Sequence, residues 1–343
     1  MMKKIVLLQI FLAATLTGMQ AQDFHLSQVN AAPHYFNPAN TGMYFGEKAD
    51  YRIYADYRSQ WKSFGIKPFS TFYGAYDMPF KDQFGVGGYL ISNRNGNGGL
   101  NTIQFMPSGA YRINKDKESE HQLSAGVQMG LMYKTYDPER LTYEKQFDPN
   151  ASNGFDQGIA SGENFSKVSM VKFDAGLGTF YKYNHSGWKA KPFIGYSVFH
   201  LTRPNQSFSG VNKDKLPMRW VYQLGADWKV NDDINVKPLL LYMYTAKAHE
   251  LNIGATGSYI LKETKYTILG GLNYRAKDAF IIQAGMQYDQ HNFVFSYDIN
   301  TSSLNNYTNG RGAFEFSVVL TGFKGKALLN PKFFKKQDST KFL

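Results

Sequence analysis

The chain has 343 residues, 38 Lys and Arg against 27 Asp and Glu, a formal charge of +11, and no cysteine. Without Cys there are no disulfide staples and no lipid-anchored N-terminus, so burial and strand pairing must hold the fold. The basic residues are dispersed rather than gathered into a stripe, which excludes nucleic acid as a partner, and no segment beyond the N-terminal leader approaches the roughly 18 apolar residues of a transmembrane helix.

Lys3 and Lys4 precede an apolar run, Ile5–Leu16, and the stretch Thr17-Gly18-Met19-Gln20-Ala21. Too short to span a bilayer, residues 1–21 read as a signal peptide cut at or within a residue or two of Ala21. Residues 22–50 read as an N-terminal periplasmic or plug-like segment, polar and Asn/Pro-rich rather than a packed domain. Within it Asn37-Pro38 fits a turn, because Pro fixes φ and Asn caps its own backbone, and Gly42 suits a positive φ. A structural plug or hinge fits this segment better than direct contact with a partner.

From Tyr51 onward the sequence alternates. Leu123, Ala125, Val127, Met129, Leu131 and Tyr133 interleave with Gln122, Ser124, Gly126, Gln128, Gly130, Met132 and Lys134, and residues 169–183 repeat the pattern. Alternation puts the apolar set on one face of a strand. Runs of about ten residues or more reach across a bilayer when tilted, and Tyr, Phe and Trp on the apolar faces favour its boundaries. The sequence therefore predicts an all-β fold: a closed antiparallel transmembrane β-barrel of about 14 strands, outer-membrane type, over residues 51–321. The strands are expected near 51–60, 69–78, 84–93, 100–113, 121–135, 169–183, 191–200, 218–230, 234–245, 249–261, 265–274, 279–288, 292–299 and 312–320.

Outer-membrane barrels have even strand numbers, short periplasmic turns and long outer loops. The three longest gaps, 136–168, 201–217 and 300–311, are all odd-numbered connections, as they should be if strand one runs outward and both termini lie in the periplasm. Long loops on a rigid scaffold are the usual place for binding, and Phe155, Phe165, Phe208 and Val211 are expected there as apolar anchors for a partner. The tail 322–343 places Lys324, Lys326, Lys332, Lys335 and Lys336 around Phe333 and Phe334. Such a mixture steers and anchors an acidic periplasmic partner.

In strand one Tyr51, Ile53, Ala55 and Tyr57 should face lipid, and Arg52, Tyr54, Asp56 and Arg58 the lumen. Closure sets the last strand beside the first, so Arg52, Arg58, Asp298 and Glu315 are candidates for a luminal ion network. No catalytic group, cofactor or metal is expected. His200 and His249 fall near the outer rim without a nucleophile context, and Asp148–Asp156 departs from a calcium loop, with Gly154 one place late and Ile159 where a bidentate Glu should stand.

Several stretches resemble the PorP/SprF family of type IX secretion membrane proteins. Asn37-Pro38-Ala39 with Gly42 is similar to its entry motif, and Tyr57-Arg58-Ser59-Gln60-Trp61 to its YR-x-QW strand. Asp77-Met78-Pro79 closes the second strand, His200 to Pro204 resembles its HL-x-x-P segment, and Ser296-Tyr297-Asp298 its late SYD strand. Phe314 stands where the family pattern expects His. The resemblance implies a barrel that assists export or surface attachment of client proteins, gliding adhesins among them in some members. It implies as partners a secreted client or surface adhesin, the periplasmic type IX machinery and outer-membrane lipid, and no catalytic residues. The competing reading is a channel for uptake of small hydrophobic solutes, disfavoured by the short N-terminal segment. A passive porin is disfavoured by the mixed charge of the inward positions.

Overall fold

The structure is a computed structural model that describes residues 24–44, 49–60, 68–96, 99–114, 116, 119–151, 154–162, 168–208, 214–246, 248–302 and 310–323. The leader lies outside them. Fourteen strands run β1 Tyr51–Gln60, β2 Phe69–Phe80, β3 Phe84–Asn95, β4 Leu100–Arg112, β5 His121–Thr135, β6 Ser169–Tyr183 and β7 Ala190–Phe199. They continue as β8 Arg219–Lys229, β9 Ile234–Thr245, β10 Ala248–Ile260, β11 Tyr266–Arg275, β12 Ala279–Tyr288, β13 His291–Asn300 and β14 Arg311–Gly322. Each pairs antiparallel with its sequence neighbours. β14 closes on β1 from Tyr51↔Gly322 to Gln60↔Ala313, so no sheet edge remains. Expected and observed strands coincide to within about two residues.

The alternation becomes two surfaces. On β5 and β6 Met129, Leu131, Val171, Phe173 and Leu177 are exposed on the outer wall, while Gln122, Ser124, Gln128, Met132, Asp174 and Phe180 are buried inside. Pro107 lies within β4. It lacks an N–H, and the β4–β5 ladder steps from Phe105↔Leu131 to Ser108↔Gln128 without pairing Met106 or Pro107. The two ends of the barrel differ. One carries the connections 136–168, 200–218 and 301–310, the long-loop end. The other has only the turns 81–83, 113–120, 184–189, 230–233, 261–265 and 289–290.

The N-terminal segment departs from the expectation that it is not a packed unit. Residues 24–44 fold inside the barrel as 3-10 turns at Val29–Ala31 and Pro38–Asn40 around one α-helical turn, Pro33–Phe36. Leu26, Ala32, Tyr35 and Phe36 form one buried cluster with inward Tyr54, Tyr73, Tyr89, Ile91, Met106, Phe199, Val221 and Leu241. Its apolar residues have no strand or long-helix period, so no pattern marks them as a core. They are buried because the inner wall is itself apolar over this region.

Candidate functional site

The candidate site is the lumen, its plug and the mouth above. Two anchors hold the plug. The first lies at the closing seam. β1 presents Arg58, β14 Glu315 and β13 Asp298, each at most 1 % exposed. Arg58 Nη1 donates to Glu315 Oε2 at 3.0 Å and Arg58 Nη2 to Asp298 Oδ2 at 2.7 Å. Ser27 sits among them. Its N–H donates to Glu315 Oε2 at 2.8 Å, its hydroxyl to the Asp298 carboxylate at 3.0 Å, and it accepts from Arg58 Nη1 at 2.7 Å. The Gln28 N–H occupies Glu315 Oε1 at 2.7 Å. Buried charges survive only when paired and fully hydrogen-bonded, and here part of the bonding comes from the plug.

Arg275, from the end of β11, completes this anchor. Its Nη2 donates to Asp298 Oδ2 at 2.7 Å and its Nε to Asp278 Oδ2 at 2.5 Å. It was missed in the sequence, although β11 alternates Ile268, Leu272 and Tyr274 outward with Asn273 and Arg275 inward, so parity carried the signal. Arg52, by contrast, is not part of the network. It stands six residues from Arg58, roughly 20 Å along the strand, and lies 4.2 Å over the Tyr44 ring instead.

The second anchor is the Asn37–Pro38 turn. Asn37 Oδ1 accepts from Ala39 N at 2.9 Å and Asn37 Nδ2 donates to Thr179 O at 2.9 Å, so one side chain caps the turn and ties it to β6. Ser124 and Ser197 donate to Ala39 O and Phe36 O at 2.9 and 2.6 Å. The wall is glycine where the turn touches it. A Cβ on Gly126 would lie 2.4 Å from Pro38 C, and one on Gly178 2.1 Å from Asn37 Oδ1. Gly42, at φ +62°, rests against Gly85 and tolerates no side chain. Asp77 gathers the end of the plug. It takes Gly42 N at 2.7 Å and Tyr44 OH at 3.0 Å, and lies 3.0 Å from His34 Nε2. Pro79 is exposed near the end of β2, and Tyr57 faces outward. Trp61 lies outside the described residues.

The loops meet at the opposite mouth. His200, at φ +59° and buried, bonds Asp174 at 2.5 Å and turns the chain out of β7. Pro204 O accepts from Leu216 N at 2.9 Å, so the two ends of this loop pair. Phe208 packs on Tyr136, ring centroids 5.7 Å apart, and Lys134 bonds Gln206, which joins the two long loops. Phe155 is half-buried, 5.8 Å from Phe147, which is the more exposed of the two. Asp148 and Asp156 each accept a backbone N–H two residues on, as turn residues do. Phe165 and Val211 lie outside the described residues, as do Lys324, Lys326, Lys332, Phe333, Phe334, Lys335 and Lys336.

Between the rim and the first anchor opens a cavity of about 380 Å³. Phe24, His25, Arg58, Arg219 and Arg275 contribute to its lining, with Glu250 facing His25. Arg219 donates to Tyr35 O at 2.9 Å and lies over the Tyr35 and Phe199 rings at 4.2 and 4.4 Å. Gln60 lines the same cavity and His249 bonds Tyr242 OH beside it.

An apolar outer wall, a closed fourteen-strand sheet and a plug from the same chain define an outer-membrane-type barrel. The chain belongs to the type IX secretion system membrane protein PorP/SprF family, whose model matches residues 18–320. No curated protein matches it. Among solved structures, it is similar to the Ralstonia pickettii toluene transporter TbuX at 12% identity, covering 84% of this chain and 92% of that one, with a TM-score of 0.49. A Pseudomonas aeruginosa FadL homologue matches at 11% over 84% and 93%, TM-score 0.47. The CymD monoaromatic hydrocarbon channel matches at 11% over 84% and 90%, TM-score 0.46. At these scores the likeness says nothing about cargo.

Proposed function

We propose that this barrel assists type IX export or surface attachment of a client protein by binding it, and that it performs no chemistry. Family membership sets the class, and the observation that carries the reading is a lumen occupied by the chain's own residues 24–44. The plug is tied to the barrel wall at two depths, at Ser27 and at Asn37, which makes it a fixed part of the scaffold. Because it is packed, the shortness of the N-terminal segment no longer counts against a solute channel. The long-loop end faces outward, following the rule for outer-membrane barrels, and the joined loops 136–168 and 201–217 meet the client or adhesin. The end of β14 faces the periplasm, where the basic tail after Gly322 docks on the type IX machinery. Truncation beyond Phe323 should leave insertion intact and release the periplasmic partner.

Deleting residues 206–213 should abolish client display while barrel levels stay normal. Unchanged display would make the loops a lid and overturn the client-binding assignment. Solute uptake, the competing function, is tested with purified protein in liposomes. Toluene flux above that of empty liposomes would favour the channel.

A further inference from the structure

The plug has a direction. Its last described residues lie at the short-turn end: Tyr44 on Asp77 of β2, Thr41 on Ser108 of β4, and Ala39 on Ser124 at the start of β5. Asp50, just before β1, bonds Gly322 at the same end. Its first described residues lie at the other. Ser27 meets Arg58, Asp298 and Arg275, all within three residues of the long-loop ends of β1, β13 and β11. His25 pairs with Glu250, two residues into β10 from that end. Phe24 and His25 line the cavity with Thr245, Ala248, Lys277 and Asn300, residues of the hairpin tips and loop edge of the long-loop mouth.

The segment thus runs the lumen from one mouth toward the other, opposite to β1. At Ser27 the chain is bound on both its N–H and its hydroxyl, and at Gln28 the N–H, the side-chain amide and its oxygen are all engaged. These bonds set the direction in which His25 and Phe24 leave the first anchor. Below them the path back is closed by Leu26, Ala31, Ala32, Tyr35 and Phe36, all buried. Phe24 and His25 are only half-buried, with the cavity on one side.

We infer that Phe24 and His25, the first described residues after the expected cut near Ala21, are presented at the long-loop mouth, on the same side as the loops that meet the client, and form the floor of the cavity there. This rests on the proposed outward orientation of that mouth, and it replaces, for the N-terminus, the expectation that both termini lie in the periplasm. Two consequences follow. A leader still held in the inner membrane cannot lie at the far mouth, so cleavage must precede closure of the barrel around the plug. The client-facing surface also includes Phe24 and His25, an aromatic and a titratable group beside Arg219 and Lys277, and not only the long loops.

The absence of native cysteine makes the test direct. Single variants Phe24→Cys, Gly154→Cys, Asp232→Cys and Ala32→Cys are treated with a membrane-impermeant maleimide on intact and on permeabilised cells. Expected is labelling of Phe24→Cys and Gly154→Cys on intact cells, of Asp232→Cys only after permeabilisation, and of Ala32→Cys in neither. Phe24→Cys labelled only after permeabilisation, or in neither state, overturns the inference while Gly154→Cys still supports the orientation. Gly154→Cys unlabelled on intact cells with Asp232→Cys labelled would instead overturn the orientation.

Discussion

Arg58 Nη2 donates to Asp298 Oδ2 at 2.7 Å, although 240 positions of sequence separate the two. The guanidinium on β1 reaches over β14, where Glu315 stands directly opposite Arg58, to the carboxylate on β13. The contact therefore exists only once the barrel has closed, and it locks the seam and the plug together through Ser27.

Removing Asp298 should be costly. Asp298→Ala leaves Arg58 and Arg275 buried without their shared anion, and losing one partner of a buried pair costs about 3–5 kcal/mol. Urea unfolding of the refolded barrel in lipid vesicles should show a loss of that order. A loss below about 1 kcal/mol would mean that the network is solvated rather than dry.

The neighbouring carboxyls should behave unequally. Asp56 is buried against Glu315, and among the described residues neither of its oxygens has an N–H donor. An amide there gives Glu315 a donor, so Asp56→Asn is expected to change stability by no more than about 1 kcal/mol. Glu315→Gln removes the charge that Arg58 and the N–H groups of Ser27 and Gln28 need. It should destabilise several-fold more in the same unfolding assay.

The wall glycines should decide whether the plug seats. Gly126→Val or Gly178→Val places side-chain atoms inside the Asn37–Pro38 turn, and overpacking of this kind costs about 1–3 kcal/mol. The barrel should still form, but residues 24–44 should become cleavable by added protease. Full protection in both variants would contradict the seat described for the turn.

What the sequence made legible follows from period. Strand positions, the facing of Arg58, Asp298 and Glu315, and the odd-numbered long loops all follow from alternation along contiguous residues. The plug does not, because its partners are set by closure. Nothing near Asn37 in the chain announces Thr179, and nothing near Gly126 announces Pro38. Gly85, Gly126 and Gly178 sit inside strands, but what packs on them comes from 43 to about 140 positions away. Arg52 was assigned to the network because facing alone ignores height along the strand.

The outer wall gives a test of membrane depth. Leu177 lies near the middle of β6, opposite Val127 of β5, and faces outward. Leu177→Arg should lower folding stability in vesicles by about 2–4 kcal/mol, the cost of a cation near the bilayer midplane. Leu177→Phe should be nearly neutral. Equal behaviour of the two would place this belt outside the membrane.

Isolation of the intact complex from native membranes in mild detergent, followed by its mass, tests the central claim most directly. The account expects the barrel to come away with an exported surface protein at its long-loop end and to lose that protein when residues 206–213 are deleted. A barrel recovered without any exported protein, from cells that are actively secreting, would contradict it.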